Sequence, residues 1–168
     1  MCAASLVMTG RQYEQVRSHV LPSDGREAVA IALCGRCEGP RPRLLVRKLF
    51  LVPHESCTER LPDMVTWPTE LIVPLLEEAN RRSFSVVKIH GHTSYPRFSK
   101  TDDDSDRKLF PSIDGWVEAD VPHGSLVLMS DGSAFGRIVG RDGSFTALEK
   151  ITIVGDRIRT YFGANVPD

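Results

Sequence analysis

A short apolar run that ends in two histidines constrains the fold of this chain more than any other segment. Phe84 to Ile89 reads FSVVKI, and His90-Gly91-His92 follows directly. A run of this length and composition predicts a β-strand over 84–89, followed by a loop over 90–101. On extended backbone, side chains two positions apart share a face, so both imidazoles can converge on one ion.

A hydroxyl and a carboxylate follow close behind the histidines. Ser99 and Asp102 lie three positions apart, where the loop closes into the start of a helix. Two His and one Asp leave a tetrahedral zinc ion with one open position, as in catalytic zinc sites. The sequence therefore predicts zinc ligands at His90, His92 and Asp102. As an alternative, Asp102 is only a helix N-cap in front of a solvated acidic first turn that includes Asp106.

Composition limits the class of protein. The 168 residues fit one domain over 1–168, and 41% apolar with 26% charged residues is ordinary for a globular protein. A net charge of -1 gives no electrostatic reason to expect nucleic acid or an anionic membrane as partner. There is no basic leader with a long apolar segment, and no run approaches the about 20 apolar residues of a membrane span. We expect a cytoplasmic protein.

The cysteines do not predict a redox or zinc motif. Cys34 and Cys37 have C-x-x-C spacing, but the Glu38-Gly39-Pro40 that follows cannot begin the helix that a redox motif needs. A structural zinc site would need a second Cys or His pair at suitable spacing, and none is obvious. In a reducing compartment the four cysteines would be thiols. We expect Cys34 to be buried on a strand and Cys37 to lie in a turn.

The alternation of helical and extended patterns predicts an α/β fold around one sheet. Helices are predicted over Thr9–Leu21 with Thr9 as cap, over Pro68–Arg82 with a kink or later start near Pro74 as the alternative, and over Asp102–Ile113. Strands are predicted over Ala28–Cys34, Leu44–Val52, Gly124–Ser130, Ala134–Val139, Phe145–Ile153 and Arg157–Phe162, besides 84–89. For Ala28–Cys34 a helix stays open as the alternative, because the segment is rich in alanine. Residues 53–67 are predicted to be a long loop.

The segment HGHTSYPRFSKTDDDSD resembles the signature of the JAMM family, also called MPN-plus or JAB zinc metalloproteases. That signature is an upstream Glu, then His-x-His, a spacer and Ser-x-x-Asp. Carried over, His90, His92 and Asp102 match the zinc ligands, and Ser99 matches the serine that supports the tetrahedral intermediate. The upstream Glu falls on Glu27, which would act as general base and acid, with Glu38 as the rival base.

The resemblance spans roughly residues 27–140 and implies a three-layer α/β/α fold with a mixed central sheet, as in cytidine deaminases. Thr93 stands where the family usually has proline, and the His-to-Ser spacer is about one residue shorter than in many members. The bacterial members most resembled are zinc-dependent peptidases and isopeptidases of ubiquitin-like proteins. They belong to conjugation or antiphage operons with activating- and conjugating-enzyme-like proteins.

The resemblance therefore implies cleavage at the C-terminal tail of a ubiquitin-like protein, as precursor processing or deconjugation. Such a tail could add as a strand to a sheet edge, either in the 53–67 segment or in the region after Asp102. Two alternatives stay open. One is an inactive MPN-type scaffold. The other is a different zinc hydrolase on the same fold, although a deaminase would be expected to show Pro-Cys-x-x-Cys ligands that Cys34 and Cys37 do not match.

Overall fold

A nine-stranded mixed sheet forms the centre of the structure, a computed structural model that describes residues 4–163. The strand order is β11-β10-β1-β3-β2-β6-β7-β8-β9, and a two-stranded hairpin, β4–β5, lies apart from it. Neighbouring strands are parallel in the pairs β1/β10, β1/β3 and β6/β7. The strands are β1 Ser5–Thr9, β2 Val29–Cys37, β3 Arg43–Leu51, β4 Glu59–Leu61, β5 Met64–Thr66, β6 Ser85–His92, β7 His123–Met129, β8 Ala134–Val139, β9 Phe145–Ala147, β10 Lys150–Val154 and β11 Arg159–Phe162. The helices are α1 Gly10–Val20, α2 Val73–Arg82 and α3 Lys100–Trp116, with 3₁₀ turns at His54–Ser56 and Thr69–Ile72.

Helices cover both faces of the sheet, and strand β2 shows how the two cores divide. Its residues Ala30, Ala32 and Cys34 belong to the core under α1, whereas Ile31 and Leu33 belong to the core under α2 and α3. This alternation follows from the period of two along a strand. The predicted α/β class is confirmed. The prediction of one domain over 1–168 stays a prediction.

Strand β6 lies near the middle of the sheet, antiparallel to β2 and parallel to β7, and all eight of its residues are buried. The prediction that the strand ends at Ile89 and that the histidines lie in a loop was wrong. Gly91 and His92 pair with Leu128 and Met129, because β7 continues alongside them. The histidines are therefore held by the sheet itself.

The helices begin close to where their caps were predicted. Helix α1 starts after Thr9, whose side chain accepts a hydrogen bond from the Gln12 N–H in a capping box. Helix α2 starts at Val73 with Pro74 in its first turn, so the later start is the one observed. Helix α3 begins two residues earlier than predicted, with Ser99 as N-cap, and ends at Trp116.

Two regions differ from the predicted elements. Residues 53–67 hold a 3₁₀ turn and the β4–β5 hairpin rather than an irregular loop. The predicted strand Phe145–Ile153 is two strands, because Leu148 N–H bonds to Gly136 O on one side and Glu149 N–H bonds to Ala4 O on the other. The chain changes its partner strand at that point.

Of the predictions on single turns, edge strands and cysteines, some are confirmed and one is wrong. The β7–β8 hairpin around Asp131-Gly132 is confirmed, and so is β11 as an edge strand. Cys34 is fully buried as predicted, but Cys37 ends β2 instead of lying in a turn. Cys2 lies outside the described residues. Among residues 4–163 no helix combines the length and apolar character that crossing a membrane requires.

Candidate metal centre

His90 and His92 point from β6 toward α3, on the face opposite α1. Their Nε2 atoms are 3.1 Å apart, and the two residues are 3% and 6% exposed. His92 Nδ1 lies 2.8 Å from the carbonyl oxygen of Tyr95. A carbonyl can only accept, so Nδ1 carries the proton and the Nε2 lone pair of His92 faces the centre. One ring is thus oriented as metal-binding histidines usually are.

Asp102 reaches the same point from the first turn of α3. Its Oδ1 is 2.9 Å from His90 Nε2, and its Oδ2 is 3.4 Å from His92 Nε2. Burial alone would raise the pKa of Asp102, but the two imidazoles beside its carboxylate and the Ser99 backbone N–H outweigh it and hold the pKa well below its usual range. Asp102 is therefore a buried carboxylate that stays ionised next to two imidazoles.

Ser99 and Asp102 are locked together in a capping box. The Ser99 hydroxyl accepts from the Asp102 N–H at 3.1 Å and donates to Asp102 Oδ2 at 2.8 Å, and the Ser99 N–H donates to the same oxygen. The N-cap of α3 is thus Ser99, and Asp102 occupies the third helical position. The alternative that Asp102 caps the helix itself was wrong, although its carboxylate does serve the cap.

Glu27 approaches the histidines from the turn before β2. Its Oε1 is 3.7 Å from His92 Nε2, and the residue is 7% exposed. Burial, assisted by the negative charge of Asp102, raises the pKa of Glu27 to about 7. The rival base Glu38 has an 81% exposed side chain that pairs with Arg36 at 3.0 Å. Of these two carboxylates, only Glu27 lies at the centre.

The buried groups of Glu27, His90 and His92 could hold a metal ion, since each offers a ligand atom and these atoms all lie within 4.8 Å of one another. Asp102 completes a second, tighter set with the same histidines. A tetrahedral zinc ion with bonds of about 2.0–2.2 Å separates its ligand atoms by about 3.3–3.5 Å. The two Nε2 atoms are 3.1 Å apart, and one Asp102 oxygen faces each ring, Oδ1 at 2.9 Å from His90 and Oδ2 at 3.4 Å from His92, which is near that spacing. His90 Nδ1, by contrast, is buried without a hydrogen-bond partner among the described residues.

The sequence interpretation missed a buried ionic group directly beside the centre. Asp106, expected in a solvated turn, is fully buried and pairs with Lys88 and with Arg137, whose NH2 is 2.7 Å from Asp106 Oδ2. For Lys88 and Asp106, the spacing in the sequence could have predicted a position beside the centre. Lys88 is two positions before His90 on the same strand face, and Asp106 is four after Asp102 on the same helix face.

A groove leads away from the centre between the β4–β5 hairpin and α3. Its cavity measures about 740 Å³, and its apolar lining includes Trp67, Leu76 and Trp116. It shares Met64 and Val65 of β5 with a small cavity that touches Glu27, Lys88, His90 and Asp102. Met64 and Val65 therefore lie between the groove and the cavity at His90.

Comparisons with known proteins yield a fold but no function. No protein-family model matches the sequence, and no curated protein matches it. The solution structure of protein DSY2949 from Desulfitobacterium hafniense is similar, with a TM-score of 0.55 and 15% sequence identity over 90% of this chain and 94% of that chain. At this identity the likeness concerns the fold alone.

Proposed function

We propose that this chain is a zinc-dependent peptidase with the JAB/MPN fold, which cleaves peptide or isopeptide bonds at the C-terminal tail of a ubiquitin-like protein. One observation carries the proposal: His90 Nε2, His92 Nε2 and the Asp102 carboxylate converge within 2.9–3.4 Å, and a buried Glu27 lies beside them. The likeness to the JAMM signature in residues 90–102 supplies the reaction class. Helices on both faces of a mixed sheet are compatible with the proposed fold.

The donor set fits zinc, because two imidazole nitrogens and one carboxylate leave the fourth position for a substrate or water. When bound, zinc would supply Lewis acidity and would lower the pKa of a coordinated water to about 7. Glu27 takes a proton from the attacking water as the C–O bond forms, and it then delivers that proton to the leaving amine as the C–N bond breaks. The Ser99 hydroxyl, which donates to Asp102 Oδ2 at 2.8 Å, would donate to the developing oxyanion instead.

The β4–β5 hairpin supports an extended peptide as substrate. Within residues 4–163 this sheet has two strands, so β5 has no partner strand on its other side. Met64 and Val65 of β5 line both the groove and the small cavity that touches Glu27, His90 and Asp102. An extended tail can add to such an edge by main-chain hydrogen bonds. Of the two segments considered from the sequence, 53–67 is the one we favour for binding the tail.

Two rival activities receive less support. A deaminase site needs thiolate ligands, but Cys34 packs in the core under α1, on the face of the sheet opposite to His90. A scaffold has no need of a buried acid whose pKa is raised to about 7 beside two histidines. We also propose that the protein acts in the cytoplasm. Its proposed partners are activating- and conjugating-enzyme-like proteins of the same bacterial antiphage operon.

The test is cleavage of a panel of ubiquitin-like proteins, each with a C-terminal fusion, by the full chain with and without a chelator. We expect cleavage after the tail of at least one member, loss of cleavage with the chelator, and recovery with added zinc. Glu27→Gln is the matched control, because it should bind zinc and leave every fusion intact. Cleavage that survives the chelator, or cleavage by Glu27→Gln at the wild-type rate, would contradict the proposed mechanism.

A further inference from the structure

We propose that Arg137 is a positioning residue for the metal centre. Together with Lys88 and Asp106 it forms a buried ionic layer, and this layer sets where α3 places Asp102 and Ser99. The inference deepens the proposed function, since it assumes that His90, His92 and Asp102 hold the metal.

Helix α3 and strand β6 are joined by two carboxylate contacts, one at the metal centre and one in the ionic layer beside it. Asp102 meets His90 at 2.9 Å, and Asp106 meets Lys88 in a second contact. From 102 to 106 the helix rises about 6 Å, and from 88 to 90 the strand advances about 6.7 Å. Because the two spacings nearly match, both contacts form together only in one register of helix against strand. A slide of the helix by one residue would break both.

Arg137 fixes that register from strand β8. Its Nε and NH2 both donate to Asp106 Oδ2, at 3.0 and 2.7 Å, and its NH1 donates to Asp103 Oδ1. Its guanidinium also stacks 3.8 Å from the ring centroid of Phe98 and 3.7 Å from that of Phe145. Residues 98, 103 and 106 bracket Ser99 and Asp102 on both sides. One side chain therefore holds both ends of the segment that completes the metal centre.

The sheet registers agree with this role. Lys88, Ser125 and Arg137 lie side by side across β6, β7 and β8, and the next row toward the centre begins with His90. Lys88 is 4% exposed, Arg137 6% and Asp106 0%. A buried ion pair is often no more stabilising than apolar packing of equal volume. A geometric role accounts for charged groups here better than stability does.

The test compares Arg137→Lys and Asp103→Asn with wild type, using zinc affinity and the visible spectrum of the cobalt-substituted protein. Lysine keeps the charge but cannot hold Asp103 and Asp106 with one planar group. We expect each variant to stay folded, to bind zinc about 10- to 100-fold more weakly, and to show a changed cobalt spectrum. A merely structural loss would leave the spectrum of the folded fraction unchanged. Asp103→Asn keeps the test usable if Arg137→Lys does not fold, since Asp103 is half-buried at the rim of the layer.

The matched control is Lys48→Met, which removes the exposed Lys48–Glu78 pair, 2.6 Å long, elsewhere on the surface. It should keep wild-type zinc affinity and spectrum. Folded variants of Arg137 or Asp103 with wild-type affinity and spectrum would overturn the positioning role while leaving the proposed function intact. Absence of zinc from the wild-type protein would instead overturn the proposed function itself.

Discussion

The backbone N–H of Glu27 donates a 2.8 Å hydrogen bond to the carbonyl of Leu61. This bond ties Glu27, the proposed base, to β4, so the hairpin that borders the groove also positions the Glu27 carboxylate. Arg60, next to Leu61, strengthens the link through a 3.0 Å hydrogen bond from its Nε to Glu27 O and a salt bridge to Asp24. The position of the base and the position of the hairpin are thus coupled.

Replacing Arg60 should therefore affect turnover more than metal binding. In Arg60→Ala the turn over residues 24–27 loses its clamp, and Glu27 is held less closely to the attacking water. We expect kcat to fall about 10-fold or more, because small misplacements of a catalytic group are costly, while zinc content stays at the wild-type level. Steady-state kinetics together with metal analysis checks this. Loss of zinc with unchanged kcat would contradict the assigned role.

Removing the proposed base should leave the metal bound. Glu27→Gln keeps the size of the side chain but cannot take a proton, so we expect kcat to fall about 10²- to 10⁴-fold. Zinc content should be unchanged, because His90, His92 and Asp102 are intact. Retained turnover would assign the base elsewhere, and loss of zinc would make Glu27 a ligand.

Gly91 is required by the close approach of α1 to β6. A Cβ at this position would lie 2.3 Å from Val20 O and 2.6 Å from Leu21 Cδ2. Because the nearest obstacle is backbone, Gly91→Ala should cost about 1–3 kcal/mol in the free energy of unfolding. It should also weaken zinc binding, since Gly91 separates the two histidines. Denaturant unfolding and metal titration measure the two effects.

Gly115→Ala is the matched control for Gly91→Ala. Gly115 lies in α3, and a Cβ there would meet nothing within 4 Å. Alanine should stabilise the helix by up to about 1 kcal/mol. Equal stability of the two alanine variants would mean that α1 and β6 are not packed as closely as described.

His123 should make the fold sensitive to mild acid. Its Nδ1 accepts the Val86 N–H at 2.9 Å, so the buried ring must be neutral. Burial, with a contribution from Arg141, lowers the pKa of His123 to about 4. Asp114, whose Oδ1 is 3.8 Å from His123 Nε2, has its own pKa raised by burial and pairs with Arg141. The contribution of His123 to stability is therefore present above about pH 6.5 and is lost as the pH falls toward about 4.

The loss at the acid end should reach about 3 kcal/mol, since each unit of pKa difference corresponds to about 1.4 kcal/mol. His123→Asn keeps an acceptor for Val86 but cannot titrate. Urea unfolding from pH 7 to pH 5 should show a shallower decline in this variant than in wild type. Identical slopes would mean that His123 does not carry the pH dependence.

The parts of the metal centre that depend on residues close in sequence could be predicted. The period of two along β6 placed both histidines on one face, and the Ser99–Asp102 spacing marked a helix start beside them. The layer formed by Lys88, Asp106 and Arg137 was not predicted, because Arg137 is 31 residues from Asp106 in sequence and no local pattern encodes such a pairing. From the sequence, Asp106 was indistinguishable from the solvated acids around it, and its burial depends on the tertiary fold.

The fold was predictable to a similar extent. The helix cap at Thr9 and the turn at Asp131-Gly132 depend only on residues close in sequence. Helix α1 and the β7–β8 hairpin, which they delimit, were therefore predicted correctly. Strand β1 was missed because five residues before a helix gave no period, and it is fixed by pairing with β3 and β10. The β4–β5 hairpin was missed because its strands have three residues each.

The number of zinc ions per chain, measured by inductively coupled plasma mass spectrometry after dialysis, tests most directly whether His90, His92 and Asp102 bind one zinc ion. We predict one zinc per chain in the wild-type protein and in Glu27→Gln, and background zinc in His92→Ala. Background zinc in the wild-type protein, or one zinc per chain retained by folded His92→Ala, would contradict the claim.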